Sequence, residues 1–199
     1  MIQSSRKIII GITGNSGSGK TTISKILAEM GGHAINADTV AHQVMGKGQK
    51  AYKKIVAAFG TEILNESEEI DRKKLGSIVF SDEKKRDLLE KIVHPIVCKE
   101  IISQVEDTDA PFIVIDAVLL VEAGLNEVCD FVWLVTAEPE RRKMRIISRD
   151  NLSPEKADAR MRNQRDVRPI ADIAHVIIEN DGDLEALETQ AAMALRNII

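Results

Sequence analysis

The sequence predicts an α/β fold with a five-stranded, mainly parallel sheet flanked by helices. Three observations predict it. Five short runs read as strands, the last three of them apolar on consecutive positions, as expected of strands covered on both faces. Segments with helical periodicity separate them, the order that gives crossover connections and a parallel sheet. The first run breaks into a glycine-rich string that leads directly into a helical pattern.

Taken in order, the first strand is expected over residues 7–12, a β-branched run closed by glycines. From Thr21 to Met30, Ile23, Ile26 and Leu27 recur at helical spacing. Further strands are expected at 33–37, 112–115, 131–135 and 175–178. Between the second and third lies the stretch 39–109, far longer than an ordinary crossover. Tyr52, Ile55, Val56 and Phe59 form one helical stripe in it, and Leu88, Leu89, Ile92, Val93 and Ile96 form another. Gly60 and the acidic run 65–71 punctuate it. This stretch is expected to be a crossover grown into a helical region where a second substrate binds. The core of the single domain is then 1–38, 110–139 and 170–199, with 140–169 left as a lid.

A chain of 199 residues, 44% hydrophobic and 29% charged, has the composition of a globular domain with a sizeable core. Its net charge of −4 gives no general attraction to nucleic acid or to an anionic membrane. No apolar run approaches the ~20 residues that span a bilayer. The positive start, Met1 to Lys7, is followed by Ile8-Ile9-Ile10, but Gly11 ends that run short of the ~7 apolar residues of a secretory signal. The expected location is the cytoplasm, as a monomer or weak homo-oligomer. Cys98 and Cys129 have no metal-ligand spacing and are expected to be buried thiols.

The string Gly14-Asn15-Ser16-Gly17-Ser18-Gly19-Lys20-Thr21 matches the phosphate-loop pattern in full, in its required strand-to-helix context. Glycines allow successive N–H groups to turn inward as an anion nest, and the helix behind them presents its positive end. Lys20 is expected at the β- and γ-phosphates of ATP, and the Thr21 hydroxyl on Mg²⁺. Ser18 and Thr22 can add hydrogen bonds. The guanine-reading Asn-Lys-x-Asp element occurs nowhere in the chain, which excludes a switch GTPase. Phosphoryl transfer to a small acceptor remains.

Asp38 closes the second strand, and strand C-termini in such sheets line the ligand crevice. Its carboxylate either accepts a proton from an acceptor hydroxyl or caps the next helix; spacing alone leaves both open. Asp116 ends Phe112-Ile113-Val114-Ile115-Asp116, the pattern of a strand with a magnesium-holding acid. Glu122 follows as a candidate neighbour. Residues 140–168 hold ten basic against five acidic side chains. Eight of the ten are arginines: Arg141, Arg142, Arg145, Arg149, Arg160, Arg162, Arg165 and Arg168. Two helices are expected here, joined around Asn151-Leu152-Ser153-Pro154, with Ser153 as cap and Pro154 at the first helical position. Such a hairpin can close over a triphosphate. His42 lies one helical turn after Asp38 and so shares its face. His33, His94 and His175 read as structural, and no cluster suggests zinc.

Several blocks in order resemble the dephospho-coenzyme A kinase family over nearly the whole chain. They are Ile10 to Gly14 running into Gly17 to Thr21; Asn36-Ala37-Asp38 with Ala41-His42; Phe59-Gly60; Ile70 to Leu75; Val79-Phe80; Val93-His94-Pro95; Asp116 with Leu119-Leu120 and Glu122; Gln164; and Glu179-Asn180. The resemblance implies a P-loop kinase fold with a helical coenzyme A-binding region and a lid. It implies ATP with Mg²⁺ as cofactors and dephospho-coenzyme A as the substrate. By motif position it makes Asp38 the catalytic aspartate, places Arg145 and Arg149 among the lid arginines, and puts Asn180 near the adenine. Two positions depart from the pattern: Asn36 stands where an Asp is usual, and Val118 where a Pro is usual.

Overall fold

The computed structural model describes residues 7–164 and 166–199. Residues 1–6, with the charged start of the chain, and Arg165 of the basic stretch lie outside the described residues. The five strands are β1 (Ile8–Thr13), β2 (His33–Asn36), β3 (Phe112–Asp116), β4 (Phe131–Thr136) and β5 (Val176–Glu179), in the sheet order β2-β3-β1-β4-β5. β1 pairs in parallel with both β3 and β4, and β4 with β5. Every expected strand is present, with ends moved by a residue or so. β5 starts after His175 because that residue bonds sideways to β4: its N–H donates to Val132 O at 2.8 Å, and its Nδ1 accepts from Val132 N–H at 3.0 Å.

In the inner strands consecutive apolar positions are buried because both sheet faces are covered, whereas on the edge strands β2 and β5 only Ile35 and Ile178 are buried and Ala34 and Ile177 are exposed, so the expectation of two covered faces fails at 175–178. All five residues of β3 are buried. Ile10, Ile12, Val114, Trp133 and Val135 form a core with Ile23 and Leu27 of α1 (Lys20–Glu29) and with Leu187, Ala191 and Leu195 of α9 (Leu184–Arg196). In the β1–β3 register Ile12 stands opposite Asp116, which brings the end of β3 level with the start of the glycine string.

The chain divides into two compact units. The first combines the residues up to Ile35 with Thr108–Ile199, and the second is Asn36–Asp107. The first unit also holds α6 (Pro139–Asp150), α7 (Pro154–Arg162) and the one-turn α8 (Arg168–Ala171). The joint between α6 and α7 is as the sequence predicts. Asn151 ends α6 in a left-handed conformation with φ of 49°, and the Ser153 side chain accepts from Lys156 N–H ahead of Pro154.

The second unit comprises α2 (Ala37–Val44), α3 (Lys50–Phe59), α4 (Arg72–Ser81) and the 24-residue α5 (Glu83–Glu106), against which the other three pack. The stripe on α3 is as expected, with Ala51, Ile55 and Phe59 buried. On α5 the expectation holds in part. Val93 of the expected stripe is buried in a row with Val97 and Ile101, Leu89, Ile92 and Ile96 are half-buried, and Leu88 is exposed. The apolar residues of this helix occur on more than one face, so the stripe is wider than the buried row and starts too early. Asp71 caps α4 by accepting from the N–H groups of Lys73 and Lys74.

Asp71→Ala leaves two helix donors without a side-chain acceptor. Its expected cost is about 1 kcal/mol of stability, which lowers the thermal midpoint by a few degrees. Asp71→Ser should recover most of that loss in a calorimetric scan, because serine ranks with aspartate as a cap.

Candidate active site

The turn from β1 into α1 needs glycine at two positions for reasons visible in the packing. Gly14 has φ of +145°, and a Cβ on it would stand 2.1 Å from Val135 O. Gly19 has φ of +102°, and a Cβ there would stand 2.1 Å from Asn180 Nδ2. Gly19 is also the N-cap residue of α1, so this helix has neither a side-chain cap nor an acid in its first turn. Its positive end is therefore not neutralised by the helix itself, the condition for anion binding. Ser18 Oγ is buried with no hydrogen-bond partner, and a phosphate oxygen would satisfy it. Lys20 is 8% exposed and donates from Nζ to Asn15 O at 3.4 Å, which folds it back over the loop.

Thr21 Oγ1 donates to Asp116 Oδ2 at 3.0 Å. Asp116 is 3% exposed and stands at the end of β3 opposite Ile12. The strand-end acid and the loop threonine thus meet, as the sequence spacing implies. After Asp116 the chain is held by Thr13 Oγ1 donating to Val118 O at 3.2 Å, while the Val118 side chain points to solvent. Thr22 and Glu122 are exposed.

Three arginines of α6 reach the loop, at positions 142, 145 and 149. This is the i, i+3, i+7 spacing of one helix face. Arg142 Nε donates to Ser16 O at 3.2 Å, and its NH2 donates to Gln164 Oε1. Burial lowers the pKa of Arg142. Arg145 donates from NH1 to Gly17 O at 3.3 Å and from NH2 to Asn180 O at 2.9 Å. Arg149 NH2 reaches Ser16 Oγ at 3.2 Å. A hydrogen-bonded pair with Asp150 raises the pKa of Arg149 and lowers that of Asp150. Arg160 donates to the same carboxylate. In the sequence Arg142 is one of eight arginines in the basic cluster, and only the helix face it shares with Arg145 and Arg149 marks it out.

Asn180 follows β5 and is 6% exposed. Its Nδ2 donates to Ser18 O at 2.8 Å. Gly14, Gly17, Ser18, Gly19, Lys20, Thr21, Asp116, Arg145, Arg149 and Asn180 therefore all belong to the first unit. Asp38 belongs to the second, where it lies in the first turn of α2 with its side chain exposed. It does not cap that helix. Asn36 does, with Oδ1 accepting from Thr39 N–H at 2.8 Å and Thr39 Oγ1 at 3.0 Å. His42 follows one turn later and is also exposed. It lines a cavity of about 780 Å³ within the second unit, together with Lys47, Asp71, Arg72, Leu75 and Val79.

The thiols take no part in the phosphate site. Both are half-buried, less covered than the sequence predicts. Cys129 Sγ donates to Leu125 O at 3.1 Å.

A glycine loop of this kind with a strand-end carboxylate beside it is the arrangement of the P-loop class, and the sheet order with helices on both sides is the fold of its small-molecule kinases. A family model described as dephospho-CoA kinase matches residues 8–186, and the chain belongs to that family. It is accordingly an ATP-dependent phosphotransferase of the final step of coenzyme A biosynthesis. The dephospho-CoA kinase of Bacillus cereus is 41% identical over 197 residues, covering 96% of this chain and 98% of its own length. A crystal structure from Thermus thermophilus superposes with a TM-score of 0.82 at 32% identity, over 97% of this chain and 98% of that one. The dephospho-CoA kinase from Campylobacter jejuni gives a TM-score of 0.68 at 28% identity, over 96% of each chain.

Burial, and secondarily the neighbouring Asp130 charge, push the Cys129 thiol up to about 12. It therefore stays protonated until the pH nears that value. At pH 8 its alkylation by iodoacetamide should be at least about tenfold slower than that of free cysteine, after allowing for the greater nucleophilicity of a more basic thiolate. Peptide mass mapping of the native protein reads this, and labelling at the free-thiol rate would contradict it.

Proposed function

We propose that the residues of this chain divide the reaction as follows. The loop Gly14–Thr22 and Lys20 hold the triphosphate of ATP. The ribose 3′-hydroxyl of dephospho-coenzyme A attacks the γ-phosphorus while its proton passes to the Asp38 carboxylate. The bond to the β–γ bridging oxygen breaks, and ADP leaves with that electron pair. Arg145 and Arg149 balance the charge on the phosphoryl group in flight. The observation that carries this reading is the glycine loop with its buried, unpartnered Ser18 hydroxyl near the Thr21–Asp116 pair.

That pair also fits magnesium. Two hard oxygen donors, 3.0 Å apart at the loop, suit an ion that takes one or two protein oxygens and completes its shell from phosphates and water. Among the described residues no group of three or more His, Cys, Asp or Glu could hold a metal, so a dedicated protein cage is not the design. Bound there, Mg²⁺ would neutralise charge on the β- and γ-phosphates.

The acceptor is assigned to the second unit. Its cavity of about 780 Å³ has the size of a site for a cofactor-like molecule, with Lys47 and Arg72 for phosphate and Leu75 and Val79 for apolar stem. For Asp38 the support is chemical. Its carboxylate is exposed, it lies two residues past the end of β2, and Asn36 rather than Asp38 caps the helix. No helix among the described residues is long and apolar enough to cross a membrane. We assign the protein to the cytoplasm, as a monomer or weak homo-oligomer.

Arg149→Ala should lower kcat while dephospho-coenzyme A affinity stays nearly unchanged, because the charge it meets develops in the transition state. Unaltered single-turnover rates would reduce the α6–α7 hairpin to a solvated surface.

The sharper test is Asp38→Asn. Because Asn36 caps α2, neither Asp38→Asn nor Asp38→Ala removes a cap, and both variants should melt near wild type. Both should bind ATP and dephospho-coenzyme A yet form coenzyme A at least about a hundredfold more slowly, the usual range for a lost general base. Wild-type turnover in the Asn variant would remove Asp38 from the chemistry.

A further inference from the structure

Asparagine is seldom buried unless its amide is fully engaged, and at 6% exposure Asn180 is engaged on every side. Its backbone N–H donates to Thr136 O at 2.9 Å, which fixes it beside the end of β4. Its Nδ2 donates to Ser18 O at 2.8 Å. Its two carbonyl oxygens accept from Arg145 NH2, the main-chain one at 2.9 Å and Oδ1 at 3.3 Å. The other terminal nitrogen of Arg145 donates to Gly17 O at 3.3 Å.

Two successive carbonyls of the phosphate loop are thus each held by a donor from outside the loop. In a trans peptide the carbonyl and the following N–H point in opposite directions. Holding Gly17 O and Ser18 O therefore turns the N–H groups of Ser18 and Gly19 to the opposite side. Ser18 N–H donates to Asn15 O at 3.1 Å and tightens the loop. The absence of a side chain at Gly19 belongs to the same fit, since a Cβ there would stand 2.1 Å from the amide nitrogen that reaches Ser18 O.

We propose that Asn180, with Arg145 braced against it, is a positioning residue that sets the direction of the Gly19 N–H and so governs affinity for the phosphates of the nucleotide. The proposal rests on the reading of Gly14–Thr21 as the triphosphate site. It differs in kind from an adenine contact at the same residue. A brace acts on any polyphosphate, whereas a base contact acts only on a ligand that carries a base.

The two are separated by measuring the binding of ATP and of inorganic tripolyphosphate, each with magnesium, to the full chain by titration calorimetry. Loss of one loop-holding bond should weaken both ligands by the same factor in Asn180→Ala, about five- to tenfold. The KM for ATP should rise by that factor, with the KM for dephospho-coenzyme A unchanged. Asn180→Ser provides the same comparison if the alanine variant does not fold. A loss seen with ATP and absent with tripolyphosphate would overturn the proposal in favour of a base contact. Unchanged affinity for both ligands would overturn it as well. A wild-type protein that binds neither ligand would overturn the phosphate-loop reading itself, and the brace with it.

Discussion

The hydrogen bond between Thr21 and Asp116 depends on a strand register, and much of the site depends on the same register. Side chains alternate across a strand, so a slip of one residue between β1 and β3 would send Asp116 to the other face of the sheet. The observed pairing of Ile12 with Asp116 prevents this, because Ile10, Ile12 and Val114 are locked in one core. The apolar interior thus does more than stabilise the first unit. It fixes which face carries the carboxylate and where the glycine loop begins. A buried carboxylate is costly without partners, and the threonine that opens α1 is one of them. Core packing, loop position and a candidate magnesium site are therefore consequences of one alignment.

The arginine hairpin obeys a different constraint. A row of cations packed against the glycine loop repels itself, and acids distributed along the hairpin offset that. Asp150 takes Arg149 and Arg160, and Asp158 takes Lys143 at 2.8 Å. Pairs this exposed are weak, typically below about 1 kcal/mol. They can hold the side chains in order and still release them to a phosphate, a much stronger partner for a guanidinium.

The sequence was most legible where structure follows from neighbouring residues. Consecutive apolar positions marked β3 and β4, the glycine string marked the turn from β1 into α1, and Ser153-Pro154 marked the start of α7. It was less legible where two local solutions compete or where distant segments meet. Asn36 and Asp38 are both eligible caps two positions apart, and the start of α2 at Ala37 decides between them. On α5 the buried row is chosen by three packed helices rather than by the helix alone. The engagement of Asn180 could not be read at all, since its bond to Ser18 joins residues 162 positions apart in sequence.

The departure at position 36 acquires a physical meaning from the cap. Asparagine serves as an N-cap as well as aspartate does, so α2 begins in the same place with either residue. What changes is charge. Asp38 is the acidic residue in the first turn of α2, and the neutral amide at position 36 places no second carboxylate at that helix end. Asn36 thus keeps the geometry that presents Asp38, with an uncharged amide in place of a second acid at the start of the helix.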